Sequence, residues 1–203
     1  MAEVPGDFAH ILETMKRCAA WLRAEQVDFV LAGSVAAWAR GGPAVCSDLD
    51  FVVRPQDSER ALEILAAHGL RTERPPEGWL VKAYDGDVLV DLIHEPNGLD
   101  LEQAFAAAEV LSVMSVDMPV MAADDVMVTK LSAFEEHYID FEGLLPIARA
   151  LREQIDWSDV RRRTADRPIA VGFLALAEAL GIAPGQRELR AVPEEPRIRV
   201  TTT

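Results

Sequence analysis

AGSVAAWARGGPAVCSDLDFVV, residues 32–53, sets a glycine–serine pair and two aspartates within one short span. The preceding "VDFVLAG" reads as a short apolar strand that ends at Gly33. "SVAAWAR" reads as a short helix, stopped by Gly41, Gly42 and Pro43. "DLDFVV" is a strand that Arg54 and Pro55 end. Residues two apart in a strand share a face. Asp48 and Asp50 therefore point one way, while Leu49, Phe51 and Val53 point into the core. A strand selected only to fold would not carry two carboxylates there.

The next signal outward is a hairpin. "GWLVKAY", the turn "DGD" and "VLVDLIHE" form it, with Asp85-Gly86 at the turn. Asp91 interrupts the apolar run of the second strand and shares a face with Leu89 and Ile93. If this strand neighbours "DLDFVV", then Asp48, Asp50 and Asp91 converge. Three close carboxylates repel one another and need a counter-charge. A divalent cation supplies it, and oxygen ligands suit Mg²⁺ or Mn²⁺. A glycine at a strand end lets backbone approach a ligand closely. Ser34 opens a helix, whose first amides favour a phosphate. A phosphate cradle beside metal ligands is the equipment of metal-assisted nucleotidyl transfer. Neither GxxxxGK[ST] nor GxGxxG occurs, so the cradle is of another kind.

Around this centre the pattern predicts a helix from Asp7 to about Gln26. A second helix is capped by Ser58 and closed by Gly69. "RTER" is a short strand, and Asp100 caps a helix to about Ala108. "VLSVMSVDMPVM" reads as one extended segment interrupted by Pro119. From Asp124 onward only helices are expected. In "DDVMVTKLSAFEEHY", Met127, Leu131, Phe134 and Tyr138 recur at helical spacing. Three more helical segments follow, and Pro168 suits a first helical turn. The expected fold is α/β (α+β), a small mixed sheet flanked by helices with a C-terminal helical region. The expected division is residues 1–122, a helical region 123–183, and a flexible polar tail 184–203.

The chain has 203 residues, half of them hydrophobic, which is enough for a sizeable core. Its net charge of −14 argues against a general nucleic-acid binder, which carries a basic footprint. Cys18 and Cys46 form no CxxC and read as small buried hydrophobes of a reducing compartment. The N-terminus has no basic and apolar leader, and no apolar run reaches a membrane span. These features fit a cytoplasmic protein. Lysine occurs only at Lys16, Lys82 and Lys130 in an otherwise arginine-rich chain, which marks each for attention.

"GS", a short helix with Arg40, then "SDLDFVV" and a later strand aspartate resemble the motif of the polymerase-β-type nucleotidyltransferase superfamily. The match runs from about Val27 to Glu95. Within it the chain is most similar to minimal nucleotidyltransferases and to those of bacterial abortive-infection toxin–antitoxin systems. "TKLSAFEEHYID" matches a helix signature of those proteins, with Lys130 and Asp140. The resemblance implies that Asp48 and Asp50 hold the metals. It makes Asp91 the third ligand and the base for the attacking hydroxyl. Gly33 and Ser34 would hold the β,γ-phosphates, and Lys130 would approach the phosphates or the base. The implied reaction moves an NMP from an NTP to an acceptor hydroxyl on a small molecule or a protein. The fuller basic motif of the abortive-infection proteins does not follow Lys130. Two other implied readings are a catalytically silent partner protein of a toxin–antitoxin type and a toxin that modifies tRNA ends. A dimer or a partner protein fits either.

Simpler readings stand beside these. Arg40 binds phosphate or pairs with one of the aspartates. Asp91 pairs with an arginine such as Arg54 or Arg40, or joins the metal site. Lys130 flanks an apolar stripe, where a lysine commonly snorkels. Asp140 fits a helix N-cap better than chemistry. Arg161, Arg162 and Arg163 read as a solvated helix face more readily than as an RNA patch. His94 falls on the face opposite Asp91, and no histidines show zinc-ligand spacing.

Overall fold

Leu49, Phe51, Val52 and Val53 are fully buried, so the strand that carries Asp48 and Asp50 runs through the middle of the molecule. A computed structural model describes residues 6–44, 48–137 and 139–185. In it α1 (Gly6–Ala24) leads to β1 (Phe29–Leu31), α2 (Gly33–Ala39) and β2 (Asp48–Val53). A 3₁₀ turn, α3 (Ser58–Ala67), β3 (Arg71–Glu73), β4 (Leu80–Asp85) and β5 (Val88–Ile93) follow. Next come α4 (Leu101–Ala107), β6 (Glu109–Val113) and β7 (Val116–Val120). The described chain closes with α5 (Ala123–Ser132), α6 (Phe141–Leu151), α7 (Trp157–Arg163) and α8 (Pro168–Ala179).

The strands form one seven-stranded mixed sheet in the order β3-β4-β5-β2-β1-β7-β6. The expected mixed sheet with flanking helices is therefore the observed architecture. β2 pairs with β5 in parallel and with β1 antiparallel. α1 and α3 pack against this central part, and α5 packs on α2. The helices after residue 122 join the same apolar core as the sheet.

Several ends form as their residues dictate. Asp100 accepts from the Gln103 amide and Asp140 from the Gly143 amide, so both are N-caps. Gly69, at φ 92°, ends α3 while the Leu70 amide donates back to Leu65. Pro168 opens α8. Ser58 differs from expectation. It is the first residue of α3, and its hydroxyl donates to the Pro55 carbonyl. The predicted Asp7 cap and Tyr138 have no described side chains, and Cys46 and residues 186–203 lie outside the described residues. Cys18 is buried, and that burial pushes its thiol up to about 12, as suits an inert apolar filler.

Two elements correct the sequence reading. The segment 109–120 is a hairpin rather than one strand, turned by Met114 and Ser115 at φ 50° and 66°. A two-residue loop with both residues at positive φ matches strand twist, but neither residue advertises it. Pro119 is tolerated because it sits opposite Val110, where the alternating ladder turns the N–H away from β6. Its missing donor also limits β1 to one paired position on β7, Leu31 with Val120. Arg23 spans the resulting gap and donates to the Asp117 carbonyl. Likewise, α5 stops at Ser132, short of Phe134. Glu135 and Glu136 would have put negative charge at the negative end of a longer helix. Phe134 instead packs edge-on against Phe141, which meets Phe173 on α8.

Candidate active site

The register of the sheet builds the site. Asp50 lies opposite Asp91 across the parallel β2–β5 pair, and Asp48 lies opposite Leu89. One carboxylate oxygen from each of Asp48, Asp50 and Asp91 comes within 4.8 Å of the others. Asp91 is only 8% exposed, as its apolar strand demands. β1 runs into the same place from the other side, where the Ala32 amide donates to the Asp50 carbonyl. The chain then turns at Gly33, which adopts φ +60°. A β-carbon placed on Gly33 would overlap Oδ2 of Asp50. Glycine is therefore required here for its backbone and for its empty space. α2 has only seven residues and no side-chain cap, so its dipole adds little. The polar groups of the turn are the Gly33 backbone and the Ser34 hydroxyl.

Lys130 reaches this turn from α5. Its ammonium donates to Ser34 Oγ at 2.9 Å, across 96 residues of sequence. It is close enough to Asp50 to favour that carboxylate's charge. Hence Lys130 does not snorkel to solvent but joins the predicted phosphate cradle to the predicted metal ligands.

Burial, then the charges of Asp48 and Asp91, push the Asp50 carboxyl up to about 7, against the opposing pull of Lys130 and Lys82. Burial and Asp48 also raise Asp91, despite its hydrogen bond to Lys82. So much carboxylate in one place is poorly tolerated without a cation. The donor set, all oxygen and within 4.8 Å of one another, fits a hard divalent ion.

Other predicted residues stand elsewhere. Arg40 does not turn to the carboxylates. Its guanidinium donates to the Met121 and Val120 carbonyls at 2.6 and 3.2 Å and pairs with Glu109 at 3.0 Å. It is a buried strut between α2 and the end of β7, bonded there rather than to the aspartates. Arg54 pairs with Glu102 and stacks on Phe105, so it is not the partner of Asp91. That partner is Lys82, whose ammonium lies 3.0 Å from Oδ1 and 3.4 Å from Oδ2 of Asp91. The sequence marks Lys82 as a rare lysine but gives it no place in the site. Arg161, Arg162 and Arg163 pair with Glu178, Asp159 and Asp125 respectively, which leaves no free basic patch there.

No protein-family model matches the chain, and no curated protein matches its sequence. Solved structures do match its fold. ANT(2'')-Ia, crystallised in complex with adenylyl-2''-tobramycin, superposes with a TM-score of 0.60 at 12% identity, over 81% of this chain and 97% of that one. The lincosamide antibiotic adenylyltransferase LnuA, bound to lincomycin, gives 0.51 at 10% identity, over 66% and 92%. An antigenic nucleotidyltransferase-like protein from Paracoccidioides brasiliensis gives 0.50 at 14% identity, over 82% and 93%. The chain thus has the fold of the polymerase-β-type nucleotidyltransferases.

Proposed function

We propose that the protein moves a nucleoside monophosphate from an NTP to the hydroxyl of a small-molecule acceptor and releases pyrophosphate. The observation that supports this most is the convergence of Asp48, Asp50 and Asp91 beside the Gly33-Ser34 turn and Lys130. Asp48, Asp50 and Asp91 would hold Mg²⁺ or Mn²⁺, which when bound lowers the acceptor hydroxyl's pKa and stabilises the charge of the leaving pyrophosphate. Gly33 and Ser34 would bind the β,γ-phosphates, and Lys130, beside Ser34, would balance their charge. Asp91 would accept the proton of the acceptor hydroxyl. The hydroxyl oxygen would then bond to the α-phosphorus as the bond from that phosphorus to the α,β-bridging oxygen breaks, which frees pyrophosphate.

A small acceptor is favoured over RNA on two grounds. The net charge is −14, and the three consecutive arginines are already paired with carboxylates. The fold neighbours that hold adenylyl-tobramycin and lincomycin make ATP the first donor to try and antibiotic-sized hydroxyl compounds the first acceptors. Isothermal titration with Mg·ATP tests the donor half. No binding of any of the four NTPs at millimolar concentration would rule the reading out. Transfer that survives the joint Asp48→Ala and Asp50→Ala change would remove the assigned metal ligands.

A further inference from the structure

A row of charged side chains crosses the sheet through the site. Strand pairing sets Asp50 opposite Asp91, Asp91 opposite Lys82, and Lys82 opposite Glu73. Directly opposed residues share a face, so the row alternates in charge from the edge strand inward until Asp91 meets Asp50. Asp91 is thus held between repulsion from Asp48 and Asp50 on one side and attraction to Lys82 on the other. An aspartate has two rotatable bonds, and alone in this position it would swing away from the like charges. The Lys82 ammonium contacts both of its oxygens, at 3.0 and 3.4 Å, which fixes the plane of the carboxylate. Lys82 is itself part-buried and lies opposite Glu73 on β3, whose carboxylate accepts from the Tyr84 hydroxyl at 3.0 Å.

We propose that Lys82 is a positioning residue for Asp91: it orients this carboxylate for its proton-accepting role without touching nucleotide or acceptor. The proposal rests on the nucleotidyl-transfer reading for its kinetic consequence and on geometry alone for its structural one. A partner that orients a metal-ligating group typically matters tenfold to a hundredfold. Lys82→Met should therefore cut pyrophosphate release from Mg·ATP, or from whichever NTP the wild-type chain uses, with water or an added hydroxyl compound as the acceptor, by about ten- to a hundredfold in kcat. The KM for the nucleotide should stay within about threefold, because Gly33, Ser34 and Lys130 are untouched. Lys82→Arg, which keeps the charge and two donors, should recover most of the loss. Binding of Mn²⁺ alone, followed by calorimetry, should weaken by about tenfold, since Asp48 and Asp50 remain but Asp91 is no longer held beside them.

Three results would overturn the proposal. One is unchanged kcat in Lys82→Met. Another is a raised KM with intact kcat, which would make Lys82 a nucleotide ligand. The third is a tenfold or greater gain in Mn²⁺ affinity with turnover intact, which would make Lys82 a stand-in cation that a metal displaces. If the wild-type chain binds no NTP, the transfer reading fails by itself; in that case, or where no acceptor supports turnover, a crystal structure of Lys82→Met with Mn²⁺ decides the positioning role. A carboxylate of Asp91 turned away from Asp50 upholds the positioning role, and an unmoved one rejects it.

Discussion

Gly33 lies so close beneath the carboxylate of Asp50 that no side chain fits between them. The relation couples two ends of the motif that are 17 residues apart in sequence. Gly33→Ala must either rotate Asp50 out of the trio or shift the turn, and it also places a β-carbon at φ +60°. The backbone term alone costs about 1–3 kcal/mol. We expect a lower melting temperature and, at temperatures where the variant is folded, weaker Mn²⁺ binding. Wild-type Mn²⁺ affinity in a folded Gly33→Ala protein would show that Asp50 is not held where the structure places it.

The raised pKa of Asp50 predicts a pH dependence whose sign is definite. The carboxyl titrates near 7 in the folded chain, but in the ordinary aspartate range when unfolded. Between those values the folded state binds more protons, so stability falls as pH rises through this window. In EDTA the melting temperature should drop from pH 5 to pH 8, and Asp50→Asn should flatten the slope. Mg²⁺ should stabilise more at pH 8 than at pH 5. A melting temperature that rises over this range in EDTA, with the slope kept in Asp50→Asn, would contradict the assignment.

Lys130 and Ser34 make a separate prediction. A charge-assisted hydrogen bond contributes about 1.5–3 kcal/mol. Lys130→Met should therefore weaken Mg·ATP binding by about tenfold or more in a titration. Ser34→Ala should weaken it less, because the ammonium remains. Metal binding without nucleotide should survive both changes.

Arg40 should behave in the opposite way. Its side chain is 5% exposed and holds two carbonyls at the end of β7. Arg40→Met leaves those acceptors unpaired and should lower unfolding free energy by about 2–4 kcal/mol in urea titrations. Nucleotide affinity per folded molecule should not change. A stable Arg40→Met protein that has lost nucleotide binding would return Arg40 to the phosphate site.

Much of the site is legible in the sequence because period-2 patterning fixes faces, and folding alone seldom puts carboxylates on a core strand. Asp48, Asp50 and Asp91 stand out in that way. Lys82 escapes through a small error of turn. With Asp85-Gly86 as the loop, Asp91 would face Leu80, whereas the observed loop is Gly86-Asp87 and sets Asp91 against Lys82. A shift of one residue in the turn moves the cross-strand partner by two. The β6–β7 hairpin is hidden for another reason, since Met114 and Ser115 carry no turn signature. Arg40 cannot be placed from sequence at all, because its partners at the end of β7 are 80 and 81 residues away and are backbone atoms.

The bond from Lys130 to Ser34 also ties together regions that the sequence keeps apart. One end belongs to the turn after the first strand, and the other to a helix whose buried residues pack among α2, α6, α7 and α8. A ligand that draws Lys130 and Ser34 onto one phosphate therefore clamps the C-terminal helices to the sheet. By mass action the clamp strengthens with ligand concentration. Amide protons of α5 should then exchange more slowly as Mg·ATP is added, because Lys130 of this helix makes the bond to Ser34.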